Sequence, residues 1–270
     1  MMASLRKISS RPIETFPDPV DFVRRVLGVE PVSYQAEILR ALAEHRRVCV
    51  RGPHGLGKTA LAAWAVLWFA TLYPEAKIPT TASAWRQLDH FLWPEIHKWA
   101  RRADWTKTAR APQLFQLSLR MGEQVEAFAV ATDQAELIEG AHASHLLYIL
   151  DEAKAIPSSI WDAIEGAFAS GTGYALAIST PGGRSGRFFE IQRRAPGLED
   201  WWVRHVTLEE ALAAGRVSQE WAADRERQWG KDSPVYAQRV LGEFPDESED
   251  GMFSLAWIEA ARVTSDKSKT

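Results

Sequence analysis

The chain has 270 residues, of which 46% are hydrophobic and 25% charged. This composition is typical of a globular protein with a substantial core and excludes a disordered or fibrous chain. The single cysteine, Cys49, excludes a disulfide framework and a cysteine-built metal site, and suits a reducing cytoplasm. Because the formal net charge is −3, any contact with nucleic acid must be local. The longest apolar run, residues 60–73, is too short to cross a bilayer, so we expect no membrane partner.

Hydrophobic periodicity and turn residues predict an alternation of helices and strands. A mobile leader over residues 1–17 comes first. The predicted helices cover residues 18–28, a stretch beginning at Ser33, 58–72, 85–102 and 159–169. The predicted strands cover residues 47–50, 77–82, 114–120, 125–132, 145–150 and 175–179, with 114–120 and 125–132 joined as a hairpin. This alternation favours an α/β domain with a largely parallel sheet.

The chain divides by its composition into a core and a smaller appended part. Residues 18–196 carry the alternation of predicted helices and strands, whereas residues 197–244 are more polar and are predicted to be helical. Residues 243–250 contain one proline and several acids and indicate the start of a linker over 245–270. We therefore predict a core over 18–196 and a small appended helical subdomain over 197–244.

A glycine-rich turn follows the first predicted core strand and precedes a long helix. It matches the Walker A pattern G-x-x-x-x-G-K-[ST]. Glycines let backbone N–H groups turn towards a phosphate, and the following helix directs its positive end at the anion. The lysine is placed to reach the β- and γ-phosphates of ATP, and the threonine hydroxyl to bind Mg²⁺. The predicted ATP-binding residues are Gly52, Pro53, His54, Gly55, Leu56, Gly57, Lys58 and Thr59.

A second motif lies about 90 residues further on, where an apolar strand ends in two carboxylates, as in the Walker B pattern. Asp151 is predicted to hold Mg²⁺, and Glu152 to orient and deprotonate the attacking water. Taken alone, such a strand end is equally consistent with a simple helix N-cap. Its spacing from the phosphate loop favours the catalytic interpretation.

Polar residues beside these motifs are further candidates. Ser179 and Thr180 end the next strand, and neighbouring parallel strands direct their carboxyl ends at one ligand. They are placed to sense the γ-phosphate, although a hydroxyl-rich turn is the alternative. Gln35 precedes the first core strand, where its amide would read the adenine edge unless it is an ordinary solvent-facing glutamine.

Together these residues resemble the large terminase subunit of tailed double-stranded DNA bacteriophages, the ATP-driven motor that packages viral genomes. The resemblance extends over most of residues 31–246 and is most specific in its last two stretches. Four stretches carry it: residues 50–59, residues 80–93, residues 139–153, and residues 229–234 together with 241–245.

The resemblance implies a P-loop NTPase of the RecA-like class that carries an additional catalytic glutamate, here Glu152. It also implies a mostly parallel sheet flanked by helices, followed by a helical lid over residues 197–244. Gln35 matches the family's adenine-reading motif, and Ser179-Thr180 its coupling motif. The cofactors implied are ATP and Mg²⁺. In the family a nuclease domain follows; its carboxylate positions are absent here, so we expect an isolated ATPase portion that does not cleave DNA.

The same resemblance implies the partners and the place of action. They are double-stranded DNA, further copies of the chain in a ring, the portal protein and the small terminase subunit. The motor is expected in the cytoplasm of the bacterial host and, transiently, at the procapsid portal.

One departure from the family concerns arginine. Some terminases carry an arginine shortly before Walker B or in the phosphate loop, whereas this chain has none between Met121 and Gly183 and has His54 in the loop. Arg184 and Arg187 are the predicted arginine fingers, with Arg86 behind them, although each is equally consistent with a surface or DNA-facing residue.

Two sets of side chains can be interpreted either as structural residues or as residues that contact nucleic acid. Trp64, Trp68, Trp93 and Trp99 lie at helical spacing and are predicted to pack in the core rather than stack on bases. The basic residues of the second set are predicted to form solvated faces, with DNA contact as the alternative. They are Lys98, Arg101, Arg102, Lys107 and Arg110, with Arg184, Arg187, Arg193 and Arg194.

Two other functions are consistent with the motifs. A helicase-like translocase would need a second RecA-like domain, for which the roughly 90 residues that follow Thr180 are too few. A nucleotide-dependent interaction module would not need Glu152, which is intact here.

Overall fold

A computed structural model describes residues 15–170 and 173–245. Their strands form one sheet in the order β3-β4-β5-β2-β6-β7-β1-β8. The strands are β1 (Arg47–Arg51), β2 (Ala76–Ala82), β3 (Gln113–Phe115), β4 (Ser118–Met121), β5 (Val125–Ala129), β6 (Leu146–Asp151), β7 (Gly173–Ser179) and β8 (Trp202–His205). Residues 1–14 of the predicted leader and 246–270 of the predicted linker lie outside the described residues.

Helices flank this sheet and form most of the segment after residue 205. They are α1 (Pro19–Arg25), α2 (Ser33–His45), α3 (Lys58–Leu72), α4 (Trp85–Gln87), α5 (Trp93–Arg102), α6 (Ala135–Glu139), α7 (Ser158–Ala167), α8 (Gly186–Gln192), α9 (Leu208–Ala213), α10 (Gln219–Trp229) and α11 (Pro234–Tyr236). None of those helices has the length and apolar run that crossing a bilayer requires.

In the order of the sheet, the six neighbouring strands β5, β2, β6, β7, β1 and β8 run parallel. At one edge, β4 pairs antiparallel with β5, and β3 antiparallel with β4. Every residue of β6 and β7 is buried, as expected for central parallel strands covered on both faces. The predicted α/β fold with a mostly parallel sheet is therefore confirmed. β7 lies between β1 and β6. The carboxyl ends of these three strands therefore meet near Ser179, since Arg51 of β1 pairs with Ser179 and Asp151 of β6 pairs with Ile178.

Tryptophans on α3 and α5 pack in the core where these two helices meet. Trp64 and Trp99 meet edge-to-face with ring centroids 5.3 Å apart. Trp68 donates its indole N–H to the Phe16 carbonyl, and Trp93 donates to Thr80 Oγ1 at 3.1 Å. All four are buried, which confirms their predicted place in the core.

Three predicted elements differ from the structure. The strand predicted over 114–120 is split into β3 and β4 by a tight turn. The helix predicted over 85–102 is interrupted by a π-helical turn, Leu88–Leu92, just before Pro94. Because proline lacks an N–H and its ring crowds the carbonyl four residues earlier, a wider turn accommodates it. The segment predicted to be helical after residue 197 also contains β8, which joins the central sheet beside β1.

Candidate active site

The phosphate loop connects β1 to α3 and is anchored by buried groups beneath it. Gly55 and Gly57 have φ of +84° and +74°, a left-handed backbone that strains other residues. The Leu56 carbonyl accepts hydrogen bonds from Tyr34 Oη at 3.0 Å and Gln35 Nε2 at 3.2 Å. The loop is therefore held in a fixed shape at the N-terminus of α3, where backbone N–H groups favour an anion.

Lys58 lies in this loop with its ammonium folded inward. Its Nζ donates to the Pro53 carbonyl at 2.7 Å. Burial lowers the Lys58 pKa to about 8, although Glu152 and Asp151 partly oppose the change. A partly buried cation at the positive end of a helix is electrostatically unfavourable on its own and favours a bound anion.

The two predicted Walker B carboxylates stand at the end of β6. Asp151 is buried, and burial, reinforced by Glu152, raises its pKa to about 7. Glu152 has a φ of +49°, and its backbone N–H donates to Asp151 Oδ1 at 3.1 Å. This turn directs the two carboxylates to different places, Asp151 into the interior and Glu152 towards the neighbouring strand.

The predicted coupling residues contact this turn directly. Ser179 Oγ donates a hydrogen bond to Glu152 Oε2 at 3.2 Å. Thr180 Oγ1 accepts one from Lys154 Nζ at 2.9 Å. The structure thus brings Lys58, the two carboxylates and Ser179-Thr180 together at the carboxyl edge of the sheet. Lys154 was not singled out from the sequence, because no short motif marks it.

The residues predicted to bind Mg²⁺ offer a suitable donor set. Asp151 supplies a carboxylate and Thr59 a hydroxyl at the first turn of α3. Mg²⁺ typically takes one or two protein ligands of this kind together with phosphates and water. A cation beside the buried Asp151 would also stabilise its charged form, which burial alone disfavours.

A cavity of about 460 Å³ opens beside the phosphate loop and is of a size that accommodates a nucleoside. No motif in the sequence marks the wall formed by residues 216–221, since only the fold brings that segment to the loop. The lining residues are His54, Gly55, Arg216, Val217, Ser218 and Trp221.

Gln35 does not face solvent, so the alternative of an ordinary exposed glutamine is wrong. Its side-chain carbonyl accepts from Val32 N at 3.2 Å and from Arg216 at 3.3 Å, while its amide N–H donates to the loop. Gln35 therefore supports the loop and a wall of the cavity, and adenine reading stays a prediction.

The predicted arginine fingers lie on the segment after Thr180. Arg184 is exposed, whereas Arg187 forms ion pairs with Asp162 at 3.2 Å and Glu190 at 3.6 Å. Arg86, at the start of α4, is exposed. Their role in transition-state stabilisation stays a prediction.

Several residues of the first basic cluster have structural partners. Lys98 pairs with Glu95 at 2.7 Å, and Lys107 donates to the Arg25 carbonyl at 2.7 Å. Arg110 donates to the carbonyl of Tyr73 at 3.1 Å. These contacts explain part of the cluster without DNA, and DNA contact by the rest stays a prediction.

The chain is similar in sequence to a known phage protein. No protein-family model matches the chain. The chain is 28% identical over 260 residues to the probable large terminase subunit of Enterobacteria phage P7, over 90% of this chain and 51% of that protein. It therefore spans about half the length of the curated relative that it matches.

Solved structures show the same architecture. The large terminase ATPase domain of Thermus phage P74-26 superposes with a TM-score of 0.69 at 22% identity, over 84% of this chain and 99% of that one. The fold is that of a large terminase ATPase domain. The bacteriophage HK97 large terminase matches with a TM-score of 0.63 at 17% identity, over 86% of this chain and 56% of its own. The resemblance drawn from the motifs is thereby confirmed.

A third structure in this group was solved with a nucleotide analogue. It is the large terminase of a thermophilic bacteriophage in complex with ATP-gamma-S, with a TM-score of 0.60 and 14% identity. The match covers 79% of this chain and 53% of that one. The terminase ATPase fold that this chain shares therefore accommodates an ATP analogue in that relative.

Proposed function

We propose that this chain is a Mg²⁺-dependent ATPase, the motor domain that powers translocation of double-stranded viral DNA into a procapsid. The observation that carries the proposal is the meeting of three groups at one sheet edge. Lys58 stands in the phosphate loop, Asp151 and Glu152 end β6, and Ser179 donates to Glu152 at 3.2 Å.

The chain's own residues divide the chemistry between them. The loop N–H groups and Lys58 bind the β- and γ-phosphates. Thr59 and Asp151 hold Mg²⁺, which neutralises charge on the phosphates when bound. Glu152 orients the attacking water and accepts its proton, with the carboxylate held by Ser179. The cavity beside Trp221 takes the nucleoside.

The packaging role rests on the similarity to terminases rather than on a feature of the site. Its partners are double-stranded DNA, neighbouring copies in a ring, the portal protein and the small terminase subunit. Lid movement coupled through Ser179-Thr180 would drive the DNA, in the host cytoplasm and at the procapsid portal. Arg184 and Arg187 are the candidates for an arginine that acts on a neighbour's site.

The ATPase proposal is tested by phosphate release from Mg²⁺-ATP, comparing the wild-type chain with Lys58→Ala. We expect turnover in the wild type, dependence on Mg²⁺, and a loss of about 100-fold or more in the variant, because the phosphates lose their principal cation. Lys98→Ala, which removes a lysine paired with Glu95 on α5, is the matched control and should turn over normally. Equal turnover in all three proteins would contradict the proposal.

A further inference from the structure

A second lysine lies at the same sheet edge as Lys58. Lys154 belongs to the 3₁₀ turn Ala153–Ala155, immediately after Glu152. Lys154 is an exposed residue, and its ammonium donates to Thr180 Oγ1 at 2.9 Å. Its stem runs along the turn after β7, since a Cβ built on Gly182 would lie 3.4 Å from Lys154 Cβ. The lysine therefore links the turn after β6 to the turn after β7.

The charges around Lys154 are arranged for a polyanion. Burial lowers the pKa of His54, and the positive charges of Lys58, Arg239 and Lys154 lower it further. Lys58, Arg239 and Lys154 thus place three positive charges near His54 of the phosphate loop, where Asp151 and Glu152 are the opposing carboxylates. The Lys154 ammonium itself bonds to a neutral hydroxyl, so its charge is available to a ligand.

The sequence gives Lys154 a distinctive place. Between Arg120 and Arg184 it is the only lysine or arginine in the chain. The water-activating half of the site is formed by β6, the turn that follows it, and β7. These segments therefore contain a single permanent cation, Lys154. Charge that develops on the γ-phosphate during hydrolysis has to be neutralised by such a group, by Mg²⁺ or by Lys58.

We infer that Lys154 is the residue that contacts the γ-phosphate on the Glu152 side of the site, acting within its own chain. Its ammonium exchanges between Thr180 Oγ1 and the γ-phosphate, so that it reports γ-phosphate occupancy to the coupling turn. This inference rests on the proposed ATPase function and adds a further substrate-contacting residue to it.

The reaction balances without another reactant. The water oxygen bonds to the γ-phosphorus while the bond to the β–γ bridging oxygen breaks, and the water proton passes to Glu152 and then to the released phosphate. The products are ADP and inorganic phosphate. Lys154 contributes only charge, and it returns to Thr180 when the phosphate leaves.

The test is a set of variants measured for turnover and for affinity towards ATP-gamma-S and ADP. For Lys154→Met we expect kcat to fall by about 100-fold, a loss typical when one stabilising donor is removed. Affinity for ATP-gamma-S should fall at least about fivefold more than affinity for ADP, which lacks the γ-phosphate. Lys154→Arg should recover part of kcat, whereas Lys98→Met is the matched control and should behave as the wild type.

The outcomes separate this inference from the proposed function. An unchanged kcat in Lys154→Met, or equal losses for ATP-gamma-S and ADP, would overturn the role of Lys154 while leaving the ATPase intact. Absence of turnover in the wild type would overturn the ATPase, but the two affinities would still test Lys154. Far-ultraviolet circular dichroism of each variant identifies any that fails to fold.

Discussion

Asp151, a proposed Mg²⁺ ligand, is a residue that the folded chain accommodates at a cost in stability. It ends a strand whose residues are all buried, and its pKa is raised to about 7, mainly by burial and then by Glu152. In an unfolded chain an aspartate titrates near 4. The folded state therefore binds an extra proton between these pH values, and ionisation of Asp151 at higher pH weakens folding.

Asp151→Asn should consequently stabilise the protein while abolishing Mg²⁺-dependent turnover. At pH 8 without nucleotide we expect the melting temperature to rise by about 2 °C or more, since each kcal/mol corresponds to roughly 2–4 °C at this size. The gain should shrink as pH falls towards 4, where the wild-type carboxylate is protonated in the folded chain.

Differential scanning calorimetry at pH 8 and pH 5 measures this effect. Asp133→Asn, which changes an exposed carboxylate, is the control and should leave the melting temperature nearly unchanged. A lower melting temperature for Asp151→Asn at pH 8 would show that burial does not destabilise this carboxylate.

At this scale, sequence reasoning identifies residues that belong to a contiguous motif. Lys58, Asp151 and Glu152 are marked by glycines or by an apolar strand, because local backbone geometry positions them. Lys154 and Arg216 carry no such mark, since their importance arises from contacts with Thr180 and Gln35 that only the folded chain creates.

The end of the lid segment packs directly against the phosphate loop. His54 N donates to the Arg239 carbonyl at 2.9 Å, in the π-helical turn Ala237–Leu241. Gly242 follows that turn with a φ of +69°, and a Cβ there would lie 2.7 Å from Gly52 Cα. Arg51, at the end of β1, pairs with Glu243 at 3.0 Å. The segment over residues 237–243 therefore helps to hold the loop in its observed shape.

Gly242→Ala should displace the lid from the loop and weaken nucleotide binding. Gly28→Ala is a matched control, because Gly28 also has a positive φ, +67°, but has open space around its Cβ position. Both variants should lose roughly 1 kcal/mol of folding free energy through backbone strain. Only Gly242→Ala should raise the ATP-gamma-S dissociation constant, by about tenfold, in a fluorescence titration. Equal affinities in the two variants would mean that the close contact does not shape the loop.

Helices and strands were predictable where the hydrophobic periodicity agrees with the turn and capping residues at their ends. The strand before the phosphate loop and α3 are found at, or within a residue of, their predicted positions. β8 was missed because its four residues are only half-buried and include Arg204 and His205, so no apolar alternation marks them. Its identity as a strand comes from pairing with β1. The π-helical turn before Pro94 likewise depends on how the helix continues beyond the proline.

The sheet joins early and late parts of the chain into one structure. β1 lies between β7 and β8, so the strand before the phosphate loop is held by segments more than 120 residues further on. Cys49, in the centre of β1, is buried, and burial raises the pKa of its thiol to about 12. The proposed division between a core over 18–196 and a lid over 197–244 stays a prediction; β8 belongs to the lid by sequence but pairs with β1 of the core.

We expect the described part of the chain to unfold in one cooperative transition. Urea unfolding followed by tryptophan fluorescence should coincide with the exposure of Cys49 to a thiol reagent at pH 8, where the native thiol is buried and protonated. Because Cys49 is the only cysteine, the labelling signal has a single source. A fluorescence transition that precedes Cys49 exposure would instead indicate a lid that unfolds separately.

Glu152→Gln provides the most direct test of the central claim that this site binds and hydrolyses ATP. The substitution keeps the size of the side chain and an oxygen for the Ser179 hydrogen bond, but removes the group that accepts the water proton. We predict that kcat falls by at least about 100-fold while the ATP-gamma-S dissociation constant stays within about threefold of the wild type. Glu123→Gln, in an exposed turn, should match the wild type in both. Undiminished turnover in Glu152→Gln would contradict the account.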